Sequence, residues 1–342
     1  MELAMVSAGI LNSIKLKPRN RVIFYIDLSL SLQNNVDILF NSYELAPINL
    51  ILDSAFPFVC AEYGYAFIRI VQNITEDTKK MRIKRIVSDG AEYQTPTNAK
   101  MCVDSGKYDN IGIKERISRF LNRYSKVDVS FSEEDYCIKF SVSISQKGQL
   151  QKNALDYLVL FLTENPDLYQ DSVKLFEYLR RNVVMNPSGK SLGISKFHPL
   201  LRGTEVVLKK VVVNGSICSA DIYIRFPFGL DSSALVQKIR NSVSAFNSKE
   251  YADIEVYVNA YNPIAVDVNS EVANKLRRAY SDVVGRVDKC VVTDGIYSKL
   301  FPNSIGFGPD FSDMAKVNKL AEKDIMQIFN IYLTAMIYLM ER

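Results

Sequence analysis

Apolar residues recur at three- and four-residue spacing across Met1–Lys17, and the run stops at Lys17-Pro18, which predicts a helix and its end. Arg21–Asp27 then reads as a buried strand. A second apolar run from Leu50 breaks at Asp53, just before Phe56-Pro57, and a further strand leads out to Gly64 and on through Ile70. The polar stretch Asp89–Asn110 carries Gly90, Pro96 and Gly106, as a linker or exposed loop does, and sets a boundary near residue 110. Helical spacing follows at Ile113–Tyr124, Asn153–Leu162 and Asp171–Arg181. Strands are predicted through Tyr136–Ser145, at Glu205–Val212 and at Ser216–Arg225. Helix Ser232–Ala245 and strand Ile254–Ala260 complete that region, and helices Glu271–Val284 and Lys319–Met340 come last.

These elements predict an α/β protein of two domains, which also suits 342 residues at roughly 150 per domain. Residues 1–110 and 261–342 form one core, a central mixed sheet with flanking helices. Residues 111–260 form an inserted α+β domain with an antiparallel sheet.

Composition narrows the classes. Hydrophobic residues at 48% and charged residues at 23% exclude a disordered or fibrous chain. The net charge of +4, on 42 basic and 38 acidic residues, is too even to predict nucleic acid or an anionic membrane as partner. The basic run Lys79–Arg85 alternates with Met81 and Ile83 and reads as a solvated face. Five cysteines without Cys-x-x-Cys spacing read as buried thiols in a reducing compartment. The longest apolar run, Ile325–Met340, is broken by Gln327, Asn330 and Thr334, and no leader pattern opens the chain, so a soluble cytoplasmic protein is expected.

Candidate chemistry begins at Asp53, because carboxyl ends of strands in open α/β sheets are where ligands and metals are held. The phrase Asp53-x-x-Phe56-Pro57-x-x-x-x-Glu62-x-Gly64, preceded by Tyr43-Glu44-x-Ala46-Pro47, resembles the zinc dipeptidases of the aminoacylase and carboxypeptidase superfamily, above all the β-Ala-Xaa dipeptidase branch. Further phrases extend the resemblance over nearly the whole chain. They are Asn153-Ala154, Gly189–Ile194, Ile224-Arg225-Phe226-Pro227, the loop Val291–Asn303 and Gly306-Phe307-Gly308-Pro309. The resemblance implies a metallopeptidase core that lacks the family's first part, a lid or dimerisation domain over 111–260, and Asp53 as a residual zinc ligand. It also implies substrate contacts at Asn153, His198, Tyr297 and Lys299.

The chain departs from the family where the chemistry sits. The two glutamates of the catalytic segment fall near Ser31 and Leu32, and neither side chain can act as a carboxylate base. Lys316 stands in the place of a zinc-binding histidine, and an ammonium does not normally coordinate zinc. Two of three loop glycines become Thr293 and Asp294. A cocatalytic zinc pair needs about two nitrogen donors with several carboxylates, whereas His198 is the single histidine. Outside the resemblance, Asp53 also reads as a loop cap and His198 as an ordinary imidazole, and Asp294 and Asp310 read as turn residues. No nucleophile-elbow, phosphate-loop or dinucleotide-binding motif is present.

The expectation is a degenerate zinc-dipeptidase-like protein with no catalytic residues and no cofactor, serving as a binding or structural scaffold. The alternative is a metallo-dipeptidase or aminoacylase-type hydrolase whose zinc site is completed by another chain, or by an atypical set around Asp53, Asp27 and His198. A core lacking its first part should leave a sheet edge or helix face uncovered, so association with itself or with a protein partner is expected. A cleft lined by Lys299 and Lys316 would suit a peptide C-terminus or small carboxylate, and its bland alternative is a collapsed cleft with both lysines solvated.

Overall fold

The computed structural model describes residues 2–13, 48–52, 54–74, 83–89, 95–103, 110–143, 152–169, 173–214, 216–293, 301, 303–309 and 321–340. The expected strand Arg21–Asp27 lies outside them, as do Asp27, Ser31, Leu32, Asp53, Asp294, Tyr297, Lys299, Asp310 and Lys316.

In chain order the first elements are α1 (Glu2–Ser13), β1 (Asn49–Ile51), β2 (Val59–Glu62), β3 (Gly64–Asn73), β4 (Ile83–Ser88), β5 (Asn98–Val103), α2 (Asn110–Arg123), β6 (Asp128–Ser132) and β7 (Cys137–Ser141). Next come α3 (Ala154–Glu164), α4 (Leu175–Asn182), β8 (Phe197–His198), β9 (Arg202–Gly203), β10 (Glu205–Asn214), β11 (Ile217–Phe226) and α5 (Ser232–Glu250). The last are β12 (Ile254–Tyr261), β13 (Ile264–Ala265), α6 (Glu271–Val284), β14 (Val291–Thr293), β15 (Ser304–Gly306) and α7 (Glu322–Met340). The fold is mixed α/β, as the hydrophobic pattern predicts.

Two compact units divide the chain, residues 1–63 with 263–342 and residues 64–262. In the first unit β1 and β15 run parallel, and β2 pairs parallel with β14 and antiparallel with β13. The chain leaves β2 for the second unit, returns as β13 antiparallel to β2, and after α6 comes back as β14 parallel to β2 on its other side, which makes the sheet mixed. Phe58, Leu276, Phe307, Ile331 and Tyr332 form the core of this unit, where α7 packs against α1 and α6. A disulfide between Cys60 and Cys290, with Cα atoms 5.6 Å apart, ties its two chain segments together.

The second unit is built on an antiparallel sheet in the order β10-β11-β3-β12. Burial alternates along β3, so Ala66, Ile68 and Ile70 enter the core while Arg69 and Asn73 face outward, the period of two that a half-covered strand requires. Helices α4 and α5 pack on β3. A second antiparallel sheet, β4-β5-β7-β6, shares the core with α2 and α3. Helix α3 carries apolar residues around most of its circumference and touches β5, β7 and β10, as a fully buried helix does.

Three expectations need correction. Asp89–Asn110 is not a continuous linker, because β5 crosses the middle of the second sheet within it. Ala99, Met101 and Val103 are buried on alternate positions, and the glycine and proline that signalled a loop only bracket the strand. The five-thiol reading of the cysteines fails as well. Cys102 and Cys137 are directly opposed on β5 and β7, with Cα atoms 4.0 Å apart, and form a second disulfide. Cys218 alone remains a thiol, and complete burial raises its pKa. With strands β3 to β5 packed among its sheets, the second unit begins at Gly64, whereas composition put the boundary near residue 110.

Candidate functional site

Three places in the chain bear on function. The first is the carboxyl end of the parallel pair β1 and β15. Leu52 follows β1, and its carbonyl accepts a hydrogen bond from the Tyr332 hydroxyl at 3.2 Å. Gly308 lies so close to the Leu52 backbone that a Cβ there would collide with the carbonyl, and Gly306 is pressed in the same way against Ser54 and Val59. Close approach of backbone therefore requires glycine at position 308, whereas at Gly306 it is the side chains of Ser54 and Val59 that leave no room for a Cβ. Phe56 stacks edge-on with Phe307 at 5.1 Å and closes the floor beneath this turn. Asp53, the residue this end would present, lies outside the described residues.

The second place holds the two expected contact residues that are described. Asn153 is buried and caps α3: its Oδ1 accepts from the Leu155 amide at 3.0 Å, and its Nδ2 donates to the Leu208 carbonyl at 2.7 Å. Both ends of the amide are thus committed to protein backbone. His198 sits on the β8–β9 hairpin, where Nδ1 accepts from the amides of Leu200 at 3.2 Å and Leu201 at 3.4 Å. The ring meets Phe228 edge-on at 5.2 Å, so the imidazole folds the hairpin tip.

The third place was not foreseen from sequence. The outer face of β10-β11-β3-β12 carries an open groove of about 680 Å³. Strand register makes its floor: Phe67 lies opposite Tyr223 on one side and Asn259 on the other, and Arg69 lies between Asp221 and Tyr257. Arg69 and Asp221 form a two-point ion pair, with Nε to Oδ1 at 2.7 Å and Nη2 to Oδ2 at 2.8 Å. The Arg69 side chain is 61% exposed, so the pair adds at most about 1 kcal/mol to stability. Its larger effect is to fix a planar guanidinium in the groove. The alternation in β3 and β11 was legible in sequence, but which face stays uncovered depends on where α4 and α5 pack.

Zinc can be weighed against these residues. Among the described residues no group of three or more His, Cys, Asp or Glu converges. The chain's one histidine has Nδ1 occupied by backbone amides, which leaves a single imidazole nitrogen for a metal. The donors among the described residues do not by themselves make a zinc pair. Among the described residues no helix is long and apolar enough to cross a membrane.

No family model and no curated protein matches the sequence. Solved structures that match include dipeptidases, other metallopeptidases and amidases of the hydantoinase/carbamoylase family. Aminoacylhistidine dipeptidase from Vibrio alginolyticus matches at a TM-score of 0.44 and 15% identity, over 87% of this chain and 66% of that one. Human carnosine dipeptidase 1 matches at 0.42 and 9%, over 99% and 70%. An M20 family metallo-carboxypeptidase from Sulfolobus solfataricus matches at 0.39 and 11%, over 90% and 72%.

Proposed function

We propose that this chain is a non-hydrolytic protein on a dipeptidase-like fold, acting as a binding scaffold that self-associates along β12. The donor set carries the proposal. Lys316, Ser31 and Leu32 replace the histidine and the two glutamates that the resembling family uses, and the one imidazole in the chain is spent on a hairpin. At these three positions the chain offers neither the carboxylate base nor the imidazole that a zinc pair would use.

Association is supported by the sheet edge. Among the described residues β12 pairs with β3 alone, and its eight residues, Ile254–Tyr261, include no proline, glycine or lysine to discourage further pairing. Glu255 is its one charge. If two copies pair antiparallel about Val258, Glu255 faces Tyr261 of the other copy and like charges are kept apart. The Phe67–Arg69 groove, which ends on β12, would then continue across the two copies as a peptide-sized surface. Sedimentation at micromolar concentration tests this: a dimer is expected for the natural chain and a monomer for Tyr257→Lys with Asn259→Lys, which makes the edge cationic. A natural chain that sediments as a monomer rules the proposal out.

A further inference from the structure

Two Asn-x-Ser/Thr sequences end strands at the same end of the β10-β11-β3-β12 sheet. Asn73, the last residue of β3, begins the sequence Asn73-Ile74-Thr75, and Asn214, the last residue of β10, begins Asn214-Gly215-Ser216. Strand β11 runs between them, and its first residue, Ile217, is in register with Asn73 on one side and Asn214 on the other. Directly opposed residues of antiparallel strands share a face, so both asparagines stand on the outer face, roughly 10 Å apart across two strand spacings. Both are exposed, and Ile217 between them keeps 44% of its surface in solvent. The only other sequence of this form, Asn186-Pro187-Ser188, has proline in the middle and cannot serve as an acceptor.

An independent feature points to the same compartment. Four of the five cysteines are paired, Cys60 with Cys290 and Cys102 with Cys137, and the fifth, Cys218, is completely buried. Paired cysteines form and persist where the surroundings are oxidising, which is also where asparagine-linked glycans are added.

We infer that Asn73 and Asn214 are N-glycosylation sites and that the chain matures in an oxidising secretory compartment, in place of the cytoplasm expected from cysteine spacing. The donor is an oligosaccharide carried on a lipid diphosphate. The Asn carboxamide nitrogen attacks the anomeric carbon, an N–C bond forms as the C–O bond to the diphosphate breaks, one amide proton is lost, and the lipid diphosphate leaves. Thr75 and Ser216 supply the hydroxyl that completes each sequence, and the asparagine nitrogen is the acceptor. Glycans on the two asparagines would cover Ile217 and fence one end of the outer face. Arg69 lies four residues before Asn73 on the same strand face, so the groove would stay open from the β12 side.

The test uses the full chain taken from its own cells, with thiols trapped by N-ethylmaleimide in a denaturing lysis buffer so that the buried Cys218 also reacts. Its mass is then read before and after peptide-N-glycosidase in 18O water. One alkylated cysteine and 18O-labelled aspartate at positions 73 and 214 are expected, with Asn186 unchanged. Thr75→Ala and Ser216→Ala should each remove one glycan, whereas Ser216→Thr should keep it, a pattern that a folding defect would not give. Five alkylated cysteines, or unmodified asparagine at either position, would overturn the assignment.

Discussion

Asn153 shows how one residue can be recognised and still be misjudged. Its place before an apolar run marks a helix start in the sequence, and the helix is there, but the amide the resemblance assigned to substrate is bonded to Leu155 and Leu208. Asn153→Ala removes a cap and leaves a buried carbonyl unpaired, so chemical denaturation should show a loss of about 2 kcal/mol. Gly308→Ala places a methyl group against the Leu52 backbone and should cost about 2–3 kcal/mol, read by the same measurement. Three residues into α3, Asp156 offers a pH signature. Burial pushes its carboxyl up to about 7, opposed by the Met185 amide that donates to it at 3.0 Å. The folded value lies above the unfolded one, so the stability linked to this group is complete below about 4 and is lost as pH rises through about 7. Part of the residue still touches solvent, which reduces the effect to on the order of 1–2 kcal/mol. Asp156→Asn should flatten the fall in stability between pH 5 and 8, and an unchanged slope would refute this role.

Among the elements, those with strong periodicity were legible. Helices α1, α2, α5, α6 and α7 and strands β10 to β12 lie close to where apolar spacing puts them, because each buries one face against its own unit. Strand β5 was missed for a physical reason: its six residues sit between turn signals, and only pairing with β4 and β7 gives its alternation a meaning. The cysteine pairs were equally hidden, since Cys102 and Cys137 lie 35 positions apart and meet only through strand register. Closing that loop restricts the unfolded chain, so Cys102→Ser with Cys137→Ser should lower stability by about 3 kcal/mol in a denaturant titration under non-reducing conditions. A loss within error of zero would mean the link does not form in solution.

For the whole molecule, sequence foretold a mixed α/β chain of two units, and each unit has its own core. Function was harder to read, because Asn153 and His198, the two described residues that the resemblance makes chemical, have their polar atoms bonded to backbone, which spacing alone does not show. The groove on the outer sheet face, with Phe67, Arg69, Asp221 and Tyr223, is a product of tertiary packing and left no local motif. The proposed function requires that this chain form no working zinc centre. The measurement that tests it most directly is zinc stoichiometry of the purified full chain after incubation with the metal and desalting, with dipeptide hydrolysis followed in the same sample. The account predicts substoichiometric zinc and no turnover above the metal-free control; two tightly held zinc ions per chain with zinc-dependent cleavage would contradict it.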